Sequence, residues 1–471
     1  MITGLDIAVI ILYFIVVLGI GFFYRKQRTT EEYIVAGRKV GFWASLGTWF
    51  ATGVGGGFSM GIIGKAYGMG YAGVWILITY SFGFMMLYVL LPRVRALGDR
   101  YKFLTLPEMM GFRMGNLVRV LAGIVTIMGI VGFVADNFVA LGRIIQAYVG
   151  WDITSGILLA ALITTIYTFL GGMMAVIVTD LIQWVIAMIG IVLITFPITL
   201  IAAGGWGAIT ATLPPQYFDP FTIPGLAIAG MFVSMIFGVN FQQHFIQRQW
   251  SPVDKKTTLY SAIAANVNFF VFAAICALIG MAGAVIFPGL EAGSLVLPHL
   301  IKELLPTGIS GLVIAAFIAL IMSSVDSFLL TISSSLSKDI IGTAKPDLSD
   351  EKMVLATRLS VVVLAILAII IAIIYPNILG LIIAFFQMIA SGLGIPVLAT
   401  LFWKRATPAG VAAGIIVGSA VAVSVKLGLL SVFGLGPALV GVPASFIATV
   451  LISLLTKPQP EEMIKKYFIR W

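Results

Sequence analysis

The sequence predicts an all-helical membrane fold, and three observations carry that prediction. Hydrophobic residues fill 60% of the 471 positions and charged residues only 10%, where a soluble chain carries about a quarter. Mean hydropathy is +1.11. Apolar runs long enough to cross a bilayer core of about 30 Å recur along the whole chain, separated by short charged or Gly/Pro-rich breaks.

The runs lie near 5–24, 42–69, 71–92, 119–149, 153–171, 173–203, 224–247, 259–287, 308–336, 355–375, 378–402, 408–428 and 436–456, which makes thirteen transmembrane helices, here spans zero to twelve. Span zero follows directly on Met1 and Asp6 without a basic segment and is long enough to cross, so no cleavable leader is expected. Span one places Gly53, Gly55, Gly56 and Gly57 within five positions. Each glycine is about 1 kcal/mol worse than alanine in a helix interior, so a broken helix is expected there; the alternative is a close-packing glycine face. Span six is interrupted in the same manner at Phe237-Gly238-Val239-Asn240-Phe241-Gln242-Gln243-His244, with His244 expected as a satisfied interfacial side chain near the cytoplasmic end. Spans one and six are five apart, as in two inverted halves covering 42–203 and 224–402. Residues 5–24 are then an extra first helix, 408–456 the last two helices and 457–471 a cytoplasmic tail, all in one membrane domain. Loops near 204–223 and 288–307 are too short for a catalytic domain.

With the N-terminus outside, the cytoplasmic segments are 25–41, 93–119, 172, 248–258, 337–358, 403–407 and 457–471. Of the 28 Lys and Arg residues, all but Lys65, Arg143, Lys302 and Lys426 fall in them, as the positive-inside rule requires. The +9 net charge then lies beside anionic lipid, which leaves no need for a nucleic-acid partner. No required protein partner is evident. Cys276 is the lone cysteine, His244 and His299 are the only histidines, and neither an HExxH nor a GxxxxGK[ST] pattern occurs. Metalloenzyme and nucleotide-hydrolysing pump readings lose their basis. An intramembrane enzyme would need a nucleophile and base that the sequence does not place together.

Asp136, Asp180 and Asp326 fall inside spans three, five and eight. A carboxylate at a helix centre costs about 2.5–3.5 kcal/mol on insertion scales, so each is a functional candidate, with a buried ion pair or hydroxyl partner as the alternative. Arg143, seven residues from Asp136 and about 10 Å along the helix, is the partner to weigh against a free carboxylate. Span eight reads Met322-Ser323-Ser324-Val325-Asp326-Ser327, which clusters three hydroxyls and a carboxylate on adjoining helix faces. Hard oxygens at that density suit a small hard cation. The alternative is hydroxyls bonded back to their own helix, permitting close packing.

These residues resemble the sodium/solute symporter family, whose members include proline, pantothenate, choline, sugar and sialic-acid transporters. The likeness covers nearly the whole chain. It is carried by Ala36-Gly37-Arg38, Ala51 through Gly57, Thr105-Leu106-Pro107-Glu108, Tyr167 through Gly172, Thr179-Asp180 with Gln183, Gln247-Arg248, Met322 through Ser327 and Phe402-Trp403-Lys404. The resemblance implies a leucine-transporter-type inverted five-helix repeat, an outside N-terminus and alternating access. It implies a main sodium site from the carbonyls of Ala51, Val54 and Leu320 and the hydroxyls of Ser323 and Ser324. A second cation site or ion path would use Asp180, Asp326 and Ser327.

Departures bear on the substrate. Proline-type members carry an aspartate, and choline-type members a tryptophan, where this chain has Gly53. Choline-type members also place a tryptophan at Gln242, so a full aromatic cage is absent although Tyr80 and Phe133 match aromatic positions. Sugar-type members have a polar pair at Gly57 and Phe58 and a gating tyrosine near Gly238, which disfavours sugars. The expected activity is secondary active symport of a small organic solute with Na+, with H+ as the alternative coupling ion. The solute is expected between the breaks, against Gly53, Gly55, Gly56, Gly57, Tyr80, Phe133, Asp136, Phe241 and Gln242. Backbone N–H groups at the glycines suit a carboxylate and Asp136 an amine, so a zwitterion such as an amino acid or betaine uses both. A carboxylate such as pantothenate or a monocarboxylate, and a non-transporting membrane sensor, are the alternatives. The setting implied is a prokaryotic plasma membrane.

Overall fold

The computed structural model describes residues 3–375 and 379–468, with the side chains of 56–58 and 379–385 outside that description. Helices run α1 (Gly4–Phe23), α2 (Thr30–Val35), α3 (Phe42–Gly53), α4 (Gly56–Met69), α5 (Trp75–Tyr101), α6 (Leu106–Met114) and α7 (Asn116–Val149). They continue through α8 (Ile153–Ala187), α9 (Phe196–Ala202), α10 (Gly205–Thr212), α11 (Gly225–Gly238), α12 (Gln243–Trp250), α13 (Lys255–Ile286) and α14 (Val296–Leu304). The rest are α15 (Ile309–Ser334), α16 (Gly342–Ala344), α17 (Asp350–Ile374), α18 (Leu379–Phe402), α19 (Pro408–Lys426), α20 (Pro437–Leu455) and α21 (Glu461–Tyr467). Among the described residues the only β pairing is a single bridge between Val40 and Pro252. Nine described helical stretches are long and apolar enough to cross a membrane, or ten if the pair bent by 47° between α11 and α12 is one span. Span ten as read from the sequence begins at Ile378, outside the described residues, as does Arg470 of the tail.

Every residue of α15 from Val313 to Ser334 is buried, which makes this helix the axis of the bundle. It packs against α7, α8, α1 and α17. Helix α1 is fastened to it by a cap across the chain: Asp6 Oδ1 accepts from the backbone N–H groups of Gly308 at 2.7 Å and Gly311 at 2.8 Å and from the Ser310 hydroxyl at 2.8 Å. The first N–H groups of a helix lack partners of their own, and a carboxylate there also meets the positive end of the dipole. Asp6 is thus a further buried acid, one that the sequence showed only as a flank of span zero.

Helix α8 turns at Gly172, whose φ of +56° is left-handed. The carbonyls that the turn strands are capped from three directions. Tyr33 Oη donates to Thr168 O at 2.9 Å, Gln27 Nε2 to Gly171 O, and Arg358 Nη2 to Leu170 O at 3.3 Å. The Thr105–Glu108 motif is a helix start: Thr105 caps α6 through Glu108 N at 3.1 Å and its hydroxyl donates to buried Asp339 at 2.7 Å. Asp339 also takes Arg119 at 2.9 Å.

The end of the chain is docked. Arg113 donates to the last carbonyls of α18 and those beyond it, Ala399 at 3.3 Å, Thr400, Trp403 at 2.9 Å and Lys404 at 3.1 Å, and to Gln459 of the tail at 3.0 Å. Tyr467 is wholly buried, its ring 5.6 Å and 5.5 Å from the guanidinium centres of Arg93 and Arg113. Tyr467→Ala is expected to cost about 3–5 kcal/mol, the range for truncating a buried large aromatic, and to free residues 457–468. A thermal melt with limited proteolysis checks this; an unchanged midpoint and digestion pattern would mean the tail is not docked in solution.

Candidate functional site: the broken helices around α15

Helices α3 and α4 are parted at Val54 and Gly55, where the backbone leaves helical geometry. Four glycines had made a continuous helix unfavourable, and the break falls among them. Val54 N still donates to Phe50 O at 3.0 Å, so the open carbonyls of α3 begin at Ala51. The serines of α15 meet them. Ser323 Oγ lies 2.9 Å from Ala51 O and 2.8 Å from Leu320 O, and Ser324 Oγ lies 3.2 Å from Thr52 O. A Cβ at Gly55 would strike the Ser324 hydroxyl and come within 3.5 Å of Asn137 Oδ1. Ala51, Leu320, Ser323 and Ser324 are therefore together as the sequence implied. Val54 ends α3 at the break, and the α3 carbonyl that Ser324 reaches is that of Thr52, which the sequence did not single out. Buried oxygens gathered in this way fit a small hard cation.

One turn further along α15 a second, acidic cluster begins. Asp180 Oδ2 accepts from Thr48 Oγ1 at 2.5 Å and Thr52 Oγ1 at 3.3 Å, and pairs with Arg248 Nη2 at 3.1 Å. Arg248 also donates to Thr52 Oγ1 at 2.5 Å, Ser327 Oγ at 2.6 Å and Thr48 Oγ1 at 2.9 Å. Ser327 Oγ lies 3.2 Å from Asp326 Oδ1, and Tyr167 Oη donates to Asp326 Oδ2 at 2.6 Å. Behind them Gln183 Nε2 donates to Tyr13 Oη at 2.8 Å, which reaches Met322 Sδ at 3.7 Å. Asp180, Asp326 and Ser327 are thus one network, as expected, but with a centre that the sequence placed elsewhere. Arg248 read as cytoplasmic loop charge and is 1% exposed. The signal was present in the polar run from Gln242 to Gln249, too polar for hydrocarbon yet carrying a single formal charge. Two carboxylates facing one guanidinium leave a formal charge of −1, which one monovalent cation or one proton neutralises. Asp180 Oδ1 is buried without a hydrogen bond among the described residues.

The second break also forms. Helix α11 ends at Gly238, a short turn covers Val239–Phe241, and α12 departs at 47°. His244 is not the interfacial residue expected from sequence. It is 1% exposed, with its ring 5.0 Å from that of Phe328, and its Nδ1 has no hydrogen-bond partner among the described residues. Phe241 and Gln242 are buried at this break. A Cβ at Gly53 would meet Phe269 Cζ at 2.6 Å and Tyr80 Oη at 2.8 Å, so an aromatic pair closes over the position where an acid was noted in proline-type members. Phe133 packs on Phe328 and Phe386. Asp136 is half-buried; among the described residues no side chain hydrogen-bonds it and no cationic nitrogen lies within 4.0 Å, and the charge of Arg143 acts on it from further along α7. Gly56 and Gly57 open α4, and their surroundings lie outside the described residues.

A helical bundle with two interrupted helices, cation-grade oxygens at one break and a charge-deficient buried ion network beside it defines a class, the ion-coupled membrane transporters. Comparison with known proteins narrows this. Residues 33–418 match the Sodium:solute symporter family. A sodium/proline symporter of Staphylococcus aureus is 30% identical over 479 aligned positions, covering 95% of this chain and 92% of that one. The structure of a Na+-coupled sialic acid symporter, substrate-bound and outward-open, aligns with a TM-score of 0.85 at 25% identity, over 97% of this chain and 99% of that one. Mhp1, a nucleobase-cation-symport-1 transporter, aligns at 0.59 with 13% identity over 94% and 99%, a likeness of fold alone. This chain belongs to the sodium:solute symporter family. It is a multi-pass membrane transporter and not an enzyme, its fold is of the leucine-transporter type, and sodium is its coupling ion.

Proposed function

We propose that this protein takes up a small zwitterion, an amino acid or a betaine, together with sodium across a prokaryotic cell membrane. The observation that carries the substrate class is Asp136, a half-buried carboxylate of α7 that no side chain hydrogen-bonds among the described residues and that follows Phe133 by one turn on the same helix face, with Arg143 acting on it only by charge. A substrate ammonium pairs with Asp136, and its carboxylate meets N–H groups at Gly55–Gly57, where α4 begins, with Gly53, Tyr80, Phe133, Phe241 and Gln242 completing the site. Sodium is held by Ala51, Leu320, Ser323 and Ser324, with Val54 as a further carbonyl. Asp180, Asp326 and Ser327 form a second cation site or exit path.

The architecture behind this reading is thirteen spans with an outside N-terminus and a cytoplasmic tail, supported by the basic residues gathered on alternate loops. The inverted halves, 42–203 and 224–402, rock about the site. Sodium and solute bind with reciprocal coupling, each raising affinity for the other by the same factor. A thermal-shift screen of proline, glycine betaine, pantothenate and pyruvate with and without sodium tests the substrate class. Zwitterions should stabilise only with sodium; stabilisation by pantothenate or pyruvate alone among the four would replace the reading with a carboxylate carrier. Asp136→Asn should weaken zwitterion uptake about tenfold, the loss of one charge-assisted contact, with sodium affinity and melting temperature unchanged. A lower melting temperature with normal uptake per folded molecule would make Asp136 structural.

A further inference from the structure

At the end of the bundle that carries the basic loops, two adjoining cavities open between α1, α2 and α17. One, of about 290 Å³, is lined by Gln27, Arg28, Glu351, Val354, Leu355 and Arg358. The other, of about 260 Å³, shares Gln27 and adds Lys26, Lys39, Phe23 and Tyr24 among its walls. We propose that together they hold the headgroup of an anionic phospholipid, a phosphatidylglycerol-type phosphodiester.

Arg358 is held rigidly: Nη2 donates to Arg25 O at 2.7 Å and Leu170 O at 3.3 Å, and the guanidinium lies 5.5 Å from the Tyr33 ring centre. Its Nε is nevertheless buried without an acceptor among the described residues. Gln27 is fixed through Nε2 to Gly171 O and leaves a buried Oε1 without a donor among the described residues. One donor and one acceptor therefore lack partners in the cavity wall, among the described residues, where a ligand bearing both would complete them. A phosphodiester oxygen accepts from Arg358 and Arg28, and headgroup hydroxyls donate to Gln27 Oε1 and Glu351. Arg28 and Arg358 against Glu351 leave a surplus positive charge in the first cavity. Lys26 and Lys39 add to it in the second, where Glu32 is already engaged by the Arg28 and Thr29 amides at 3.0 and 3.3 Å. That balance selects a net-negative headgroup over a zwitterionic one.

The apolar continuation lies along α17, where Leu355, Leu359, Val363, Ile366 and Ile370 form one exposed helical stripe running away from the cavity, the path two acyl chains would take. Because Arg358 and Gln27 also cap the carbonyls before the Gly172 turn, a lipid here would brace the junction inside α8 whose later half carries Asp180.

The test is lipid binding to the full-length purified protein by native mass spectrometry and thermal shift, using dioleoyl-phosphatidylglycerol, -phosphatidylethanolamine and -phosphatidylcholine, with inorganic phosphate and glycerol phosphate as headgroup-only probes. Phosphatidylglycerol should bind and stabilise selectively. Arg28→Gln, whose side chain makes no ion pair within the described protein and so leaves the fold intact, should lower its affinity about five- to tenfold. Lys302→Gln, an exposed basic residue shortly before Gly308, at the opposite end of α1 from the cavity, should not. Equal losses in both variants would reduce the effect to general surface charge. Unchanged binding in Arg28→Gln, preference for phosphatidylethanolamine, or equal stabilisation by free phosphate would overturn the proposal.

Discussion

Replacing Arg248 with methionine is expected to abolish sodium-driven uptake and to destabilise the protein by about 3–5 kcal/mol, the range for removing one partner of a buried ion pair. The guanidinium is the donor on which Thr48, Thr52, Asp180 and Ser327 converge. Without it Asp180 and Asp326 face each other across Ser327 and Thr52 with no cation of the protein between them. The companion variant separates structure from coupling. Arg248→Met with Asp180→Leu removes both charges, and apolar replacement of a whole buried pair is often neutral for stability. The pair of changes should therefore recover much of the melting temperature while uptake stays absent. Recovery of uptake in that double variant, measured in proteoliposomes, would show that the ion pair is scaffolding and has no part in transport.

The second large effect is expected at the α3 break. Ser323→Ala and Ser324→Ala each remove a hydroxyl oxygen while keeping a small side chain in a helix that is buried along its length. Losing one charge-assisted oxygen contact is worth about 1.5–3 kcal/mol, so the sodium concentration for half-maximal uptake should rise about tenfold to a hundredfold. Expression and melting temperature in the absence of sodium should change little, since the hydroxyls meet carbonyls at a break and carry no ladder of the helix. Ser360→Ala is the matched control: its hydroxyl bonds back to Ala356 O at 2.8 Å on α17, away from both breaks. If the control shifts sodium dependence as far as the two site variants, the serine pair is not the locus of sodium binding.

Much of this was legible in the sequence because membrane proteins advertise what does not suit hydrocarbon. The glycines of span one, the acids of spans five and eight and the serine run of span eight were visible as local anomalies, and the structure brings Ala51, Leu320, Ser323 and Ser324 to one point. What stayed hidden is non-local. Arg248 stands beside a loop in sequence, and only the bend of α12 carries it under α3 and α8. Asp6 is a flank of the first helix until Gly308 and Gly311, some 300 positions later, present their N–H groups to it. Thr48 and Thr52 looked like ordinary small polar residues, since a threonine that bonds its own helix and one that bonds a distant carboxylate read alike. Tyr467 sits in a short charged tail whose docking depends on Arg93 and Arg113, from a segment that the sequence marked only as basic. Thirteen apolar runs could be marked out, and the helical course of α8 is interrupted at Gly172, φ +56°, where the sequence put the boundary between two of them, so that boundary rests on one glycine.

The most direct measurement is equilibrium binding of radioactive sodium to the purified protein, comparing wild type with Ser323→Ala and Ser360→Ala. If the oxygens of Ala51, Leu320, Ser323 and Ser324 hold the coupling ion, Ser323→Ala binds sodium at least about tenfold more weakly than wild type and Ser360→Ala binds it normally. Wild-type sodium affinity in Ser323→Ala would place the ion elsewhere and contradict the account.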